Sequence, residues 1–139
     1  MSFKDLDAVY ALEVELFPNP WPKVFFDTDL RTHNTIAYVA EHNAIIIAYS
    51  MATCIDGKFH VTNIAVTPSF QRHGVASKLM HLFERIAVEK NCRDAYLEVR
   101  TTNTPAIRFY ENLGYSIAYR RHHYYIDGDD AYVMEKELP

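Results

Sequence analysis

Glycine is scarce in this chain, with four in 139 residues. Places where the backbone can turn left-handed or be approached closely are correspondingly few, so each glycine position is informative. Cysteine is scarcer still. Cys54 and Cys92 lack CxxC spacing, which excludes a disulfide-rich framework. Both read as reduced thiols of a cytoplasmic protein, and neither has a neighbouring base that would make it a nucleophile. No run approaches the roughly 20 apolar residues of a membrane span. The longest apolar cluster, AIIIAYSMA (Ala44 to Ala52), is strand-length. Lys4, Asp5 and Asp7 interrupt the N-terminus, so no secretory signal is expected. An excess of basic residues is also missing. The net charge is −4, which argues against a nucleic-acid partner. Internal repeats and low-complexity segments are absent.

What is present suits a soluble globular protein. The hydrophobic fraction is 49% and the length is enough for one cored domain over residues 1–139. The linker-like stretch FPNPWPK (Phe17 to Lys23) holds three prolines. It breaks the helix before it and is too short to separate domains.

Periodicity supplies the elements. FKDLDAVYALEVELF spaces its apolar residues as a helix, and a shorter helix is expected over Lys23 to Thr32. TIAYVAEHN, AIIIAYSMATCI and FHVTNIAV read as three antiparallel strands, joined at His42-Asn43 and at the Asp56-Gly57 turn. Val75, Leu79, Leu82, Phe83 and Ile86 mark a helix from about Gly74 to Lys90. DAYLEVR is a strand. TPAIRFYENLGY is a helix with Thr104 expected as N-cap and Gly114 just past its end. YSIAYRRHHYYI and AYVMEKEL are expected to pair around DGDD. The order ααβββαβαββ predicts an α+β (mixed α/β) fold, whose central strand–loop–helix–strand unit makes a parallel crossover.

The glycine that carries most meaning is Gly74, in VTPSFQRHGVASKL (Val66 to Leu79). It lies between a predicted strand and a predicted helix, with small residues Ala76 and Ser77 following. Free amides at a helix start, on backbone open to close approach, suit a phosphate. An ordinary strand-to-helix turn would use the same residues, and this stretch alone leaves both readings open.

Three stretches together resemble a family. NIAVTPSFQRHGVASKLM, AYLEVRTTNTPAIRFYENLGY and RRHHYYIDGDDAYVMEKEL, in this order, are similar to the GNAT superfamily of N-acetyltransferases. Within it they look most like the ribosomal-protein-alanine N-acetyltransferases. The resemblance runs from about Thr35 to Leu138. Gln71, Gly74 and Ala76 match the pyrophosphate-loop pattern Q/R-x-x-G-x-G/A, with alanine at its last position. The family usually opens with a strand before its first helix, and here that strand is shortened or missing.

The resemblance implies a mixed, mostly antiparallel sheet of six to seven strands flanked by about four helices. It implies acetyl-CoA as cosubstrate, no metal, and acetylation of a protein N-terminal amine by direct transfer. Arg72, His73, Gly74, Val75, Ala76 and Ser77 would cradle the pyrophosphate. Ile64, Ala65 and Val66 would pair their backbone with the pantetheine arm, helped by Asn103. Glu98 would be the base and Tyr110 the acid. Tyr124 and Tyr125 would hold the acceptor.

Each role has an alternative in the residues themselves. Ile64 and Val66 would be core residues in any sheet. Glu98 would pair equally well with Arg100 or Arg72. Tyr110 would sit at the edge of a buried stripe formed by Phe109 and Leu113, and Asn103 would help cap the helix. His122 and His123, adjacent on a predicted strand, would face opposite ways and not chelate together. The other histidines, His60 among them, read as surface or capping residues. The acceptor could instead be a small amine, or the chain a non-catalytic acyl-CoA-binding module, and a monomer or a homodimer fits equally.

Overall fold

A computed structural model describes all 139 residues, Met1–Pro139. After a single 3₁₀ turn come α1 (Leu6–Leu16) and α2 (Lys23–Leu30). Then follow β1 (Thr35–His42), β2 (Ile45–Ile55), β3 (Lys58–Val66), α3 (Val75–Glu89), β4 (Asp94–Arg100), α4 (Thr104–Asn112), β5 (Ser116–Arg121) and β6 (Ala131–Glu137). This is the expected order, and no strand precedes α1. The six strands form one sheet, β1-β2-β3-β4-β6-β5, in which only β3 and β4 run parallel.

The turns follow local chemistry. Asn43 and Ala44 are both left-handed, as are Asp56 and Gly57, so β1–β2 and β2–β3 are joined by two-residue turns whose twist matches the strands. Gly114 ends α4 at φ 97. Its N–H donates to Glu111 O, and Tyr115 N–H to Tyr110 O, closing the helix end in a Schellman pair. At the other end Asn103, rather than the expected Thr104, is the cap, and its Oδ1 accepts from Ala106 N at 3.3 Å.

Two layers of helix cover the sheet. Phe59, Val61, Phe83, Leu97, Val99 and Tyr110 lie in the larger core beneath α3 and α4. Leu6, Val9, Phe26, Tyr49 and Met51 form a second core beneath α1 and α2. Cys54 and Cys92 are joined as a disulfide, which corrects the reading of two separate reduced thiols. The β2–β3 hairpin and the return of α3 bring the end of β2 beside the start of β4, a juxtaposition that spacing along the chain could not reveal.

Two irregularities shape the middle of the sheet. Met51 pairs with Asn63 but Ala52 with Val61, so Thr62 is an extra residue, a bulge that flips the faces of β3. Further, β3 pairs with β4 only over Lys58–Val61 and Asp94–Leu97. Beyond that register the strands part. Thr62–Val66 and Glu98–Arg100 flank a seam across which no ladder hydrogen bonds run.

Candidate active site

The seam has a donor-rich mouth on one side. Arg72 and Gly74 both take left-handed φ values, 65° and 79°, and Gly74 caps α3. None of the main-chain N–H groups from Arg72 to Ser77 makes a hydrogen bond of ordinary geometry within the chain. Gln71 holds the loop from behind, its Nε2 donating to Val66 O at 3.0 Å. Successive free amides at a helix start make a concave site for an anion. A side-chain carbon at Gly74 would meet no protein atom within 4 Å, so the left-handed φ, not crowding within the loop, is what favours glycine there. Ala65 and Val66 are buried and Ile64 is partly buried, consistent with core side chains.

On the opposite face of the sheet, alternation along β4 turns Tyr96, Glu98 and Arg100 away from the buried Ala95, Leu97 and Val99. The Glu98 side chain is only 10% exposed. It pairs with neither Arg100 nor Arg72. Its partner is His60, whose Nε2 lies 2.6 Å from Glu98 Oε2. The His60 ring stacks flat on Tyr96, centroids 4.3 Å apart and planes 8° off parallel. His60, read from the sequence as a surface or capping residue, is instead partly buried in this pair. Its position opposite Tyr96, two residues short of Glu98, depends on the parallel register of β3 with β4.

Arg100 is engaged elsewhere. Its Nη1 reaches Asp127 Oδ2 and Asp129 Oδ2, both at 2.9 Å, and its guanidinium lies 4.1 Å from the Tyr125 ring centroid. Residues 122–130 therefore form a loop closed on Arg100, not the continuation of β5 that was expected. The strand stops because His123 turns left-handed at φ 52, its N–H and Nδ1 taken by Asp130 Oδ1 and Gly128 O. His122 sits beside it, Nδ1 3.3 Å from Asp130 Oδ2. Tyr124 and Tyr125 meet edge to face at 5.0 Å. Burial raises the pKa of both phenols, Tyr125 to about 12, and the Glu98 charge adds to the rise in each. Arg100 holds the Asp127 carboxyl below the usual carboxylate range.

Tyr110 belongs to the other face. It is the buried residue of α4, whereas Phe109 and Leu113 are only partly buried, reversing the expected stripe. Its ring meets Tyr115 edge to face at 6.0 Å. Burial pushes its pKa up to about 12, with a smaller contribution from Tyr125. Its hydroxyl makes no hydrogen bond within the chain, yet it is not sealed from solvent. With that pKa the hydroxyl keeps its proton at neutral pH.

Facing the tyrosine loop is the proline-rich segment 17–23. Asn19 Nδ2 reaches Asp127 Oδ2 at 3.5 Å, so this segment and the tyrosine loop meet at their tips. Beneath it lies Glu13, which sequence reasoning also passed over, although its place four residues after Val9 puts it on the buried stripe of α1.

The acetyltransferase (GNAT) family model matches residues 6–115. The chain belongs to that family. It is 31% identical to an N-alpha-acetyltransferase of Sulfurisphaera tokodaii, covering 96% of this chain and 88% of that one. It is also 31% identical to the [ribosomal protein bS18]-alanine N-acetyltransferase of Escherichia coli (strain K12), over 94% and 89% of the two chains. The crystal structure of the Escherichia coli ribosomal-protein-S18-alanine N-acetyltransferase superposes with a TM-score of 0.91 at 28% identity, over 99% of this chain and 90% of that one. This GNAT chain is an acetyl-CoA N-acetyltransferase. None of its helices is long and apolar enough to cross a membrane.

Proposed function

We propose that this GNAT protein acetylates the N-terminal α-amine of a protein, by direct transfer from acetyl-CoA within a ternary complex. The observation that carries the reading is the seam between β3 and β4. It joins a bed of free amides at α3 to a carboxylate–imidazole pair on the far face. A thioester arm bound at the first would run along Ile64, Ala65 and Val66 and present its acetyl group at the second. Arg72, His73, Gly74, Val75, Ala76 and Ser77 are the proposed pyrophosphate cradle. Asn103, whose Oδ1 is occupied by the α4 cap, has its amide NH₂ left for the pantetheine.

The step balances simply. Glu98 takes the proton from the acceptor ammonium, directly or through one water, with His60 hydrogen-bonded to the carboxylate. The amine nitrogen attacks the thioester carbonyl carbon, the C–N bond forms and the C–S bond breaks. Tyr110 gives its proton to the departing thiolate, the second proton of the former ammonium passes through solvent water to reprotonate Tyr110, and Glu98 releases its proton to solvent, leaving an amide, free coenzyme A and one net proton. No acyl-enzyme is required, and with Cys54 and Cys92 paired to each other no free thiol competes as nucleophile. Positioning supplies much of the rate.

Relatives named for N-alpha-acetylation and for the alanine of ribosomal protein bS18 support a peptide acceptor, held between segment 17–23 and Tyr124–Tyr125. The test is acetyl-CoA turnover with short peptides beginning in Ala or Ser, alongside polyamines and aminoglycosides, with the acetylated atom located by mass spectrometry. Acetylation at the peptide α-amine supports the reading. Turnover of small amines alone, or coenzyme binding without turnover, would replace it.

A further inference from the structure

The proline-rich wall of the acceptor face is held by very few bonds. Segment 17–23 contains Pro18, Pro20 and Pro22, leaving four main-chain N–H groups. Two of these end on one residue. Phe17 N–H donates to Glu13 O at 3.0 Å, and Trp21 N–H to Glu13 Oε2 at 2.9 Å. The other carboxylate oxygen, Oε1, accepts from Asn63 Nδ2 at 2.8 Å and from the Tyr49 hydroxyl. Asn63 lies on the part of β3 that borders the open seam. One carboxylate, 2% exposed, thus joins the irregular wall to the strand beside the proposed acetyl site.

Core filling does not account for this residue. Its neighbours on the α1 stripe are Leu6, Val9 and Leu12, and an apolar residue of similar volume would serve packing at least as well as a buried carboxylate. What an apolar residue could not do is hold the Trp21 amide and the Asn63 amide at one fixed separation. A buried carboxylate is tolerated when its lone pairs are filled, and here three donors fill them.

We propose that Glu13 is a positioning residue for the acceptor. It preforms the segment 17–23 wall at a set distance from β3, so that an incoming peptide N-terminus meets an ordered groove. The proposal rests on the acetyl-transfer reading, but part of its test does not.

Trp21 is the only tryptophan in the chain, so its fluorescence reports this wall alone. In Glu13→Gln one of the two accepting oxygens becomes an NH₂, so either Trp21 N–H or Asn63 Nδ2 loses its acceptor and the link between wall and strand is broken. Acrylamide quenching of Trp21 should rise and its emission shift to the red, with far-UV circular dichroism unchanged. The KM for peptide should rise about tenfold, the worth of one hydrogen bond to a charged group. The KM for acetyl-CoA and the pH profile of kcat should not move. Tyr49→Phe, which removes one donor and keeps the ring, should show the same pattern more weakly. Wild-type quenching and wild-type peptide KM in both variants would overturn the proposal, as would a loss of kcat at unchanged peptide KM. If Glu13→Gln does not fold, Tyr49→Phe decides, and wild-type values in it overturn the proposal. If the unmodified protein acetylates no peptide, the functional reading fails. The quenching comparison then judges the clamp by itself, and unchanged quenching overturns it.

Discussion

His60 Nε2 and Glu98 Oε2 lie 2.6 Å apart where β3 and β4 cease to pair. An ionised carboxylate only accepts, so the imidazole Nε2–H donates and fixes the tautomer. The bond holds Glu98 at the seam while its other oxygen, Oε1, remains free to take a proton. The flat stack on Tyr96 fixes the imidazole in turn.

Glu98→Gln keeps the shape and removes the proposed base. kcat should fall by about 10²-fold or more, the usual worth of a positioned proton acceptor. The KM for acetyl-CoA should stay near wild type, because the amide bed at α3 lies on the other side of the seam. Unchanged kcat at neutral pH would remove Glu98 from the role of base.

His60→Phe keeps the stack on Tyr96 and deletes the hydrogen bond. If His60 acts by orienting Glu98, kcat should drop by about tenfold, less than for Glu98→Gln, and the double variant should be no worse than Glu98→Gln alone. Multiplicative losses in the double variant would mean that the two residues act independently.

Much of this fold was legible because its signals are local. Asp56-Gly57 forms the expected tight turn, Gly114 ends α4, and the ααβββαβαββ order holds. Gly74 does cap α3 in a left-handed conformation. What escaped the sequence was non-local. The His60–Glu98 pair needs the parallel register, Cys54–Cys92 needs the α3 return, and Arg100 needed a loop that had been read as strand. Tyr110 was misjudged because helical spacing gives a stripe but not its centre, and the sheet packs against Tyr110 more closely than against Phe109.

Gly74 separates loop strain from ligand obstruction. At φ 79 any side chain costs about 1–2 kcal/mol, although a Cβ there meets no protein atom. Gly74→Ala should therefore melt a few degrees earlier than wild type and keep the rise in Tm given by acetyl-CoA. Gly74→Val should in addition lose the rise in Tm that saturating acetyl-CoA gives, since that rise requires binding to the folded state. A full ligand-induced shift in Gly74→Val would place the pyrophosphate elsewhere.

Arg100→Met keeps an apolar stem against Tyr125 but frees Asp127 and Asp129. These are solvent-exposed pairs, so Tm should barely change. If the tyrosine loop they tie down holds the acceptor as proposed, the KM for peptide should rise about threefold or more, consistent with one exposed charged contact. Unchanged peptide KM would separate the loop from acceptor binding.

Tyr110 is the residue whose chemistry pH can isolate. Burial raises its pKa from the ordinary phenol value to about 12, so it keeps its proton wherever the enzyme is assayed near neutrality. Because the folded-state value is the higher one, the linked stability is complete below about pH 10, where the unfolded chain also keeps the proton. It is lost as pH rises through about 12. Tyr125 behaves alike, its pKa also raised by burial to about 12. Urea unfolding between roughly pH 9 and pH 12 should show stability falling with pH, and less steeply in Tyr110→Phe. The same variant should lose about 10²-fold in kcat when the leaving thiolate is not protonated. That loss should shrink with an acetyl thioester whose thiol has a lower pKa and needs no proton to leave. A loss of equal size for both thioesters would make Tyr110 a packing residue, and its hydroxyl would have no part in the chemistry.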